Sequence, residues 1–460
     1  MPTTEKTEAY RIAVTRRNVS EFLAIPKESG LEFPTVQVAQ NRRLAQQLTA
    51  EIDRRWKLQT YCLRISNSHC KDEDLGSFAV MECAHPDAVS LNGAQWTSLS
   101  DCRTRLEVGN ESNAIFHKII GELKCSSQNA SAGPFTQPGW FRTLLLWVRE
   151  QLDMLGLRPT GNFSQWNASP TFSLVRIETT GPAVWFKATG EPNQRELPIS
   201  VAIARLLPAY APLILGIYPE WNGWLTGELP GESLSETFDP SDWERVASTL
   251  ARMQMESISA IDSLVEAGCK DLRTAKLSAQ IGPFLRRMAI LMNEQEKKTP
   301  APLKSQQLDL IESQLTEAIS QFTQIGLPDA LTHIDFNPGN ILLSTERCSF
   351  LDWAEGGVSS PLVTFEFLRE HFSRRNIGSE RRLREAYLRP WMSLLSEKQI
   401  VTGMKFSPLV AVFAYAAQDL NWETDEVHQI EHHAAYYRAL TRRMYLEAVR
   451  ISEIGVPCLD

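Results

Sequence analysis

The sequence predicts an α+β protein: a mixed α/β region, then a strand-rich segment, then a long helical one. Three observations carry this. A turn-forming run from Cys125 to Gly139, CSSQNASAGPFTQPG, breaks the composition of the chain. From Gly161 to Leu229 the apolar residues fall in short, turn-bounded segments that read as strands. Beyond Gly231 they recur with helical spacing. The chain has 460 residues, too many for one core, so two or three domains are expected.

Before the turn-rich run, Arg11 to Thr15 and Glu21 to Ile25 read as short strands. Leu44, Leu48, Ile52 and Trp56 recur every four residues and give the stretch from Gln40 to Trp56 one apolar helical face. Gln59 to Ile65 and Phe78 to Cys83 read as strands, and Glu111 to Leu123 as a helix. This order resembles the Nudix fold, with the 40–56 helix in the place of the metal-binding Nudix helix. The best register of that family's REUxEExGU box is Ala50-Glu51-Ile52-Asp53-Arg54-Arg55-Trp56-Lys57-Leu58. Arg54 and Arg55 then stand where the resemblance calls for paired glutamates, and a cationic group cannot ligate a divalent cation. Residues 1–125 are therefore an inactive Nudix-like scaffold or an unrelated α/β domain. Residues 126–160 are expected to be a linker and a connector helix running from Trp140 to Leu155.

In residues 161–231, Phe172 to Glu178 and Ala183 to Ala188 form one pair of strands, and Leu213 to Tyr218 and Gly223 to Leu229 a second. A helix from Glu196 to Leu207 interrupts them. Residues 232–460 are mostly helical, and Ser241-Asp242-Trp243-Glu244 has the form of a capping box.

The strongest chemical signal is Leu331-Thr332-His333-Ile334-Asp335-Phe336-Asn337-Pro338-Gly339-Asn340, followed by the apolar Ile341-Leu342-Leu343 and then by Phe350-Leu351-Asp352-Trp353. Phosphoryl transfer from ATP needs a carboxylate near the attacking hydroxyl and oxygen ligands that hold magnesium against the phosphates. Asp335 can serve as the first, Asn340 and Asp352 as the second. The second signal is Lys187, at the end of the apolar run Ala183-Val184-Trp185-Phe186. An ammonium there needs a partner, and Glu196, opening the next helix, is the candidate.

The pattern HxDxxxxN with a following LDW resembles the aminoglycoside-phosphotransferase and choline kinase-like family, over residues 161–460. The resemblance implies a bilobal protein-kinase-like fold, a strand-rich small lobe (161–231) and a helical large lobe (232–460), preceded by the separate α/β domain. It implies ATP and Mg2+ as cofactors, Asp335 as the catalytic carboxylate, Asn340 and Asp352 on the metal, and Lys187 with Glu196 on the phosphates. It also implies a hinge near Glu228, Leu229 and Gly231 that meets the nucleotide base. The acceptor would be the hydroxyl of a small molecule. The sequence departs from the family in four places: Ile334 replaces the usual glycine, Asn162 to Thr171 replaces a glycine-rich loop, Ser359-Ser360-Pro361 replaces a Gly-Asp-Pro turn, and Thr364 replaces a later aspartate that supports the catalytic loop. A non-catalytic nucleotide-binding regulatory protein is the alternative on this scaffold. A hydrolase centred on the N-terminal region is disfavoured by the missing acids.

A formal net charge of −8 argues against a nucleic-acid partner. The acid-rich segment from Asp419 to Glu426, around Trp422, suits a cationic hydroxylated ligand. The N-terminus lacks the apolar core of a signal peptide, and the longest apolar stretch, Leu409 to Ala417, is short of a membrane span. Eight cysteines without a CxxC pair read as buried or idle thiols. His69-Cys70 with Cys83 and His85 lacks the second paired spacing of a metal site. A cytoplasmic enzyme working without membrane is the expectation; nothing in the sequence speaks to oligomeric state.

Overall fold

A computed structural model of the chain describes residues 6–28, 30–40, 42–66, 76–89, 92–105, 116–121, 123, 133–424 and 431–454. The chain forms two compact units, one of residues 1–197 and 213–228, the other of residues 198–212 and 229–460.

The first unit is built on two sheets. In the larger, β1 (Thr7–Arg16), β2 (Glu21–Lys27), β3 (Gly30–Glu32), β5 (Thr60–Ser66) and β6 (Phe78–Cys83) lie in the order β3-β2-β1-β6-β5, with β4 (Thr35–Ala39) on β1 and β7 (Gln95–Ser98) on β2. The central β1–β6 pair is parallel and its neighbours antiparallel. Side chains alternate across the pleat. Ile12 and Val14 therefore join the core beneath the helix Leu44–Trp56, whose Ala45, Leu48, Ile52 and Trp56 are buried as the fourfold spacing predicts. Ala13 faces the other way, into a core shared with Phe22, Tyr61, Leu63 and Phe78.

That second core does not end with the sheet. It continues through Phe135, Trp140, Phe141, Leu144 and Val148 into Val175, Ile177, Val184, Phe186 and Leu225 of the smaller sheet. The smaller sheet is antiparallel, in the order β11-β12-β10-β9-β8. Its strands are β8 (Pro159–Ala168), β9 (Ser173–Thr179), β10 (Val184–Ala188), β11 (Ile214–Tyr218) and β12 (Gly223–Gly227). The expected separation of 1–125 from the strand-rich segment is thus not what the structure shows. The helix Trp140–Asp153 does not merely connect them; its buried Trp140, Phe141, Leu144, Val148 and Leu152 form part of the common core. A fully buried Gln165 on β8 adds a polar stitch, its Oε1 accepting the backbone N–H of Cys62 on β5 at 2.7 Å. Of the expected linker, residues 126–132 lie outside the described residues, as do 111–115 of the expected 111–123 helix.

The second unit is mostly helical. Helices Pro240–Ser257, Thr274–Asn293, Ser305–Gln324, Leu362–Arg375, Glu380–Trp391, Glu397–Ala417 and Glu431–Ile454 surround a core that includes Trp243, Phe284, Leu315, Phe365, Tyr387 and Phe413. The first of these begins two residues earlier than the Ser241 motif suggests. Asp239 is the N-cap, its carboxylate accepting the Ser241 N–H at 2.9 Å, and Pro240 fills the first helical position. The reciprocal box appears instead at Ser396 and Gln399, before Glu397–Ala417. That 21-residue helix is long and apolar enough to cross a membrane, but 72% of its apolar window is buried inside the fold. Two small sheets complete the unit. The hairpin Ile341–Leu343 with Cys348–Phe350 takes Glu232–Ser233 on its edge, and Gly356–Ser359 lies between Lys270–Asp271 and Ala330–His333. Cys62, Cys83, Cys102, Cys269 and Cys348 are buried thiols; Cys70, Cys125, Cys458 and His69 lie outside the described residues.

Candidate active site

The buried strand Ala330–His333 ends two residues before Asp335, which is exposed. Ile334 is fully buried in the core. Gly357, paired with Thr332 across the sheet, keeps that face clear: a Cβ there would lie 3.2 Å from the Lys270 carbonyl and 3.5 Å from Ile334 Cδ1. The bulk absent from one position is thus present at the other.

After Asp335 the backbone turns sharply. The Asn337 N–H donates to the Asp335 carbonyl at 2.8 Å. The Asn337 side chain accepts the Gly339 N–H at 2.9 Å, starting the single 3-10 turn Pro338–Asn340. The hairpin then returns the chain to Leu351, whose backbone serves both neighbours. Its N–H donates to the Asn340 carbonyl at 2.8 Å, and its carbonyl lies 3.0 Å from His333 Nε2. A carbonyl only accepts, so Nε2 carries the proton. Full burial lowers the His333 pKa and keeps the ring neutral. Asp335, two residues past His333, and Asp352, one past Leu351, are thereby tied to Asn340 through one residue's backbone. Asp352 itself is exposed and left-handed, at φ 64° and ψ 61°, a conformation that aspartate tolerates at some cost and that clusters at functional sites.

Asn340 and Asp352 offer oxygen donors, the kind a hard cation takes. Magnesium commonly uses one or two protein oxygens and leaves its other positions to water and phosphate, so this pair fits it. Among the described residues no group of three His, Cys, Asp or Glu side chains stands close enough to hold an ion.

The loop is also anchored from behind. The buried His333 N–H donates to the Thr364 hydroxyl at 2.9 Å, so a neutral side chain does the anchoring where the resembled family carries an acid. This partner was missed in the sequence, where Thr364 stood out only as a departure.

In the first unit, Lys187 sits on β10 between Leu174 and Trp224. Its ammonium forms an ion pair with Glu196, in the first turn of the helix Glu196–Leu206. The Glu196 side chain is only 2% exposed. The expected pair is therefore formed. Glu228 is differently engaged. Its carboxylate takes a bidentate grip from Arg176 at 2.6 and 3.0 Å, which holds it below the usual carboxylate range. Its backbone N–H is taken by the Ala183 carbonyl at 3.0 Å, so that donor is already used within the sheet. Leu229 is half-buried.

Where a glycine-rich loop would lie, β8 and β9 form a hairpin closed by Ser169 and Phe172, the Ser169 N–H donating to the Phe172 carbonyl at 2.8 Å. Two glycines hug its tip. A Cβ on Gly133 (φ 81°) would meet the Pro170 carbonyl oxygen at 2.2 Å, and one on Gly190 the Thr171 Cβ at 2.4 Å. The turn is held by close contact, with the Pro170 backbone at Gly133 and with the Thr171 side chain at Gly190.

No known family's sequence model matches the chain, and no curated protein matches it. Solved structures do. A macrolide 2'-phosphotransferase from Brachybacterium faecium is 15% identical, over 65% of this chain and 97% of its own, with a TM-score of 0.44. An ethanolamine kinase from Plasmodium vivax is 14% identical, over 67% and 86%, with a TM-score of 0.42. The GDP complex of an aminoglycoside 2'-phosphotransferase is 13% identical, over 67% and 99%, with a TM-score of 0.44.

A second feature missed in the sequence adjoins Asp335. A cavity of about 140 Å³ is lined by Asp335, Glu355, Gln418, Asp419, Tyr436 and Tyr437, among others. Lys270 donates to three of these residues: Glu355 Oε2 at 2.7 Å, Gln418 Oε1 at 2.9 Å and Asp419 Oδ1 at 3.1 Å. Of the acid-rich segment, Asp419 alone among the described acids lines this cavity. Trp422 is buried against Phe284 at 5.3 Å between ring centroids, so it is core rather than a stacking platform. Glu423 is exposed, and Asp425 and Glu426 lie outside the described residues. In the N-terminal region Arg54 and Arg55 both hold Glu51. The Arg54 bonds, with those of Arg55, draw its pKa down to about 2. The arginines thus consume the one glutamate of the candidate metal-binding box.

Proposed function

We propose that the chain is an ATP-dependent kinase that phosphorylates a hydroxyl of a small molecule, in the manner of the aminoglycoside-phosphotransferase and choline kinase-like enzymes. The observation that supports this reading is the backbone of Leu351, which bonds the Asn340 carbonyl and the His333 ring and so links the segments that bear Asp335, Asn340 and Asp352. Asp335 would orient the acceptor hydroxyl and take its proton. Asn340 and Asp352 would hold Mg2+, which when bound neutralises charge on the phosphates. Lys187, fixed by Glu196, would supply a further cation to them. Loose phosphoryl-transfer transition states ask mainly for such positioning and charge. A nucleotide-binding scaffold without transfer is the second reading, favoured by Thr364 in place of the supporting acid.

Calorimetry of Mg-ATP binding, beside an ATP-consumption screen of hydroxylated metabolites and antibiotics, tests both. Asp335→Asn should lose about 10²–10⁴ in turnover with Mg-ATP affinity little changed. Asp352→Asn should weaken magnesium-dependent ATP binding as well. A parent that binds no Mg-ATP overturns the kinase reading. A parent that binds it, with ATP turnover no higher than in either variant and not raised by any acceptor, favours the scaffold.

A further inference from the structure

We infer that Lys270 is the internal counter-cation of the cavity beside Asp335, and that the acceptor is in consequence a neutral or singly charged hydroxylated molecule rather than a polycation. The inference rests on the kinase reading, since it takes Asp335 as the carboxylate facing the acceptor hydroxyl. The Lys270 side chain is 4% exposed, and a buried ammonium is costly unless fully paired. It is fully paired: an ammonium has three donors, and Glu355, Gln418 and Asp419 accept one each. None is left for a ligand, so Lys270 is a positioning residue.

What it positions faces the cavity. Gln418 turns its Oε1 to the ammonium, which leaves its NH2 group as a donor for a ligand. Glu355 and Asp419 each commit one oxygen to Lys270 and retain the other. Among the described residues, three carboxylates line the cavity, Asp335, Glu355 and Asp419, against the one ammonium that bonds two of them. Setting aside Asp335, which is reserved for the hydroxyl, the Glu355–Lys270–Asp419 group has two negative charges and one positive. One unit of charge remains uncompensated, enough for at most one cationic group on the acceptor. Of the two charges that a polycation would neutralise there, one is already neutralised from within. Phenols complete the wall. Burial pushes Tyr437 up to about 12, so it stays a hydroxyl that can donate to or accept from an alcohol.

The test uses the full chain and three probes: a neutral disaccharide, its monoamino counterpart and a tetra-amino pseudotrisaccharide. Binding is measured by calorimetry in the presence of Mg-ATP, and phosphorylation alongside. Mg-ATP binding, measured first, separates a failure of the kinase reading from a failure of this one. The parent should prefer the neutral or monoamino probe. Lys270→Met, which keeps the apolar stem and frees two carboxylates, should shift the affinity ratio toward the tetra-amine by about tenfold. Asp419→Asn, which keeps an oxygen to accept from Lys270 and removes one negative charge, should shift it about tenfold the other way. A purely structural lysine would weaken all three probes together. If Lys270→Met does not fold, the Asp419→Asn ratio decides alone. Preference for the tetra-amine in the parent, ratios unmoved by the variants, or a parent with Mg-ATP bound that takes none of the probes would each overturn the inference.

Discussion

The backbone N–H of His333 donates to the hydroxyl of Thr364 at 2.9 Å, and both residues are buried. The anchor of the candidate catalytic loop is therefore an uncharged hydrogen bond. Thr364→Val keeps the shape and removes the acceptor, which strands a buried N–H at a cost of about 1–3 kcal/mol. The variant should melt several degrees lower and lose turnover by more than its unfolded fraction explains. Thr364→Ser should restore both. Thermal denaturation beside an activity assay checks it; a Val variant equal to the parent would show that the loop is held elsewhere.

Lys187 and Glu196 should behave as a coupled pair. Glu196 is almost fully buried, so Lys187→Met leaves a carboxylate without this counter-ion, at a cost of about 3–5 kcal/mol. Glu196→Gln alone should cost less, because the lysine is more exposed. The double variant should be more stable than Lys187→Met by itself, while remaining as poor in ATP use. A double-mutant cycle by chemical denaturation gives the coupling. Additive losses would mean that the ion pair is incidental.

Glu82 predicts a pH effect. Its carboxylate accepts the Tyr61 hydroxyl at 2.7 Å and the Gly139 N–H at 2.6 Å, yet burial raises its pKa above the usual value. A carboxyl whose folded pKa lies above its unfolded one favours folding fully below the unfolded value, about 4.5. That favour is lost as pH rises through the folded value. Glu82→Gln can still accept both bonds and never ionises. Relative to the parent it should gain stability as pH rises from about 4 to 7, read as a narrowing or reversal of the Tm difference. Parallel Tm profiles would contradict the assignment.

Much of this was legible in the sequence because it rests on local pattern. The fourfold recurrence of Leu44, Leu48, Ile52 and Trp56 gave one helix face, and the spacing of Asp335, Asn340 and Asp352 gave a turn and a hairpin. Lys187 found Glu196 because an ammonium on an apolar strand needs a partner nearby. What stayed hidden depends on contacts remote in sequence. Lys270 follows Cys269 on a two-residue strand with no periodicity of its own, and its partners lie 85 to 149 positions away. Trp422 looked like a recognition residue beside acids, because composition does not say which way a side chain turns. Pro159–Ala168 was missed as a strand because its polar residues, Thr160, Asn162, Ser164, Gln165 and Asn167, hide the alternation.

The amide of Gln165 and the aromatic helix after the turn-rich run have a practical meaning for how this chain can be divided. A cut near Cys125, where composition invites it, would part Phe141, Val148 and Phe186 from the N-terminal side chains of their shared core and leave the Cys62 N–H without its acceptor. Either fragment would carry a raw apolar face into water, the kind of surface that drives aggregation. The N-terminal sheet and the lysine-bearing sheet are thus one inheritance: neither can be swapped, shortened or lost without the other being rebuilt to receive the change.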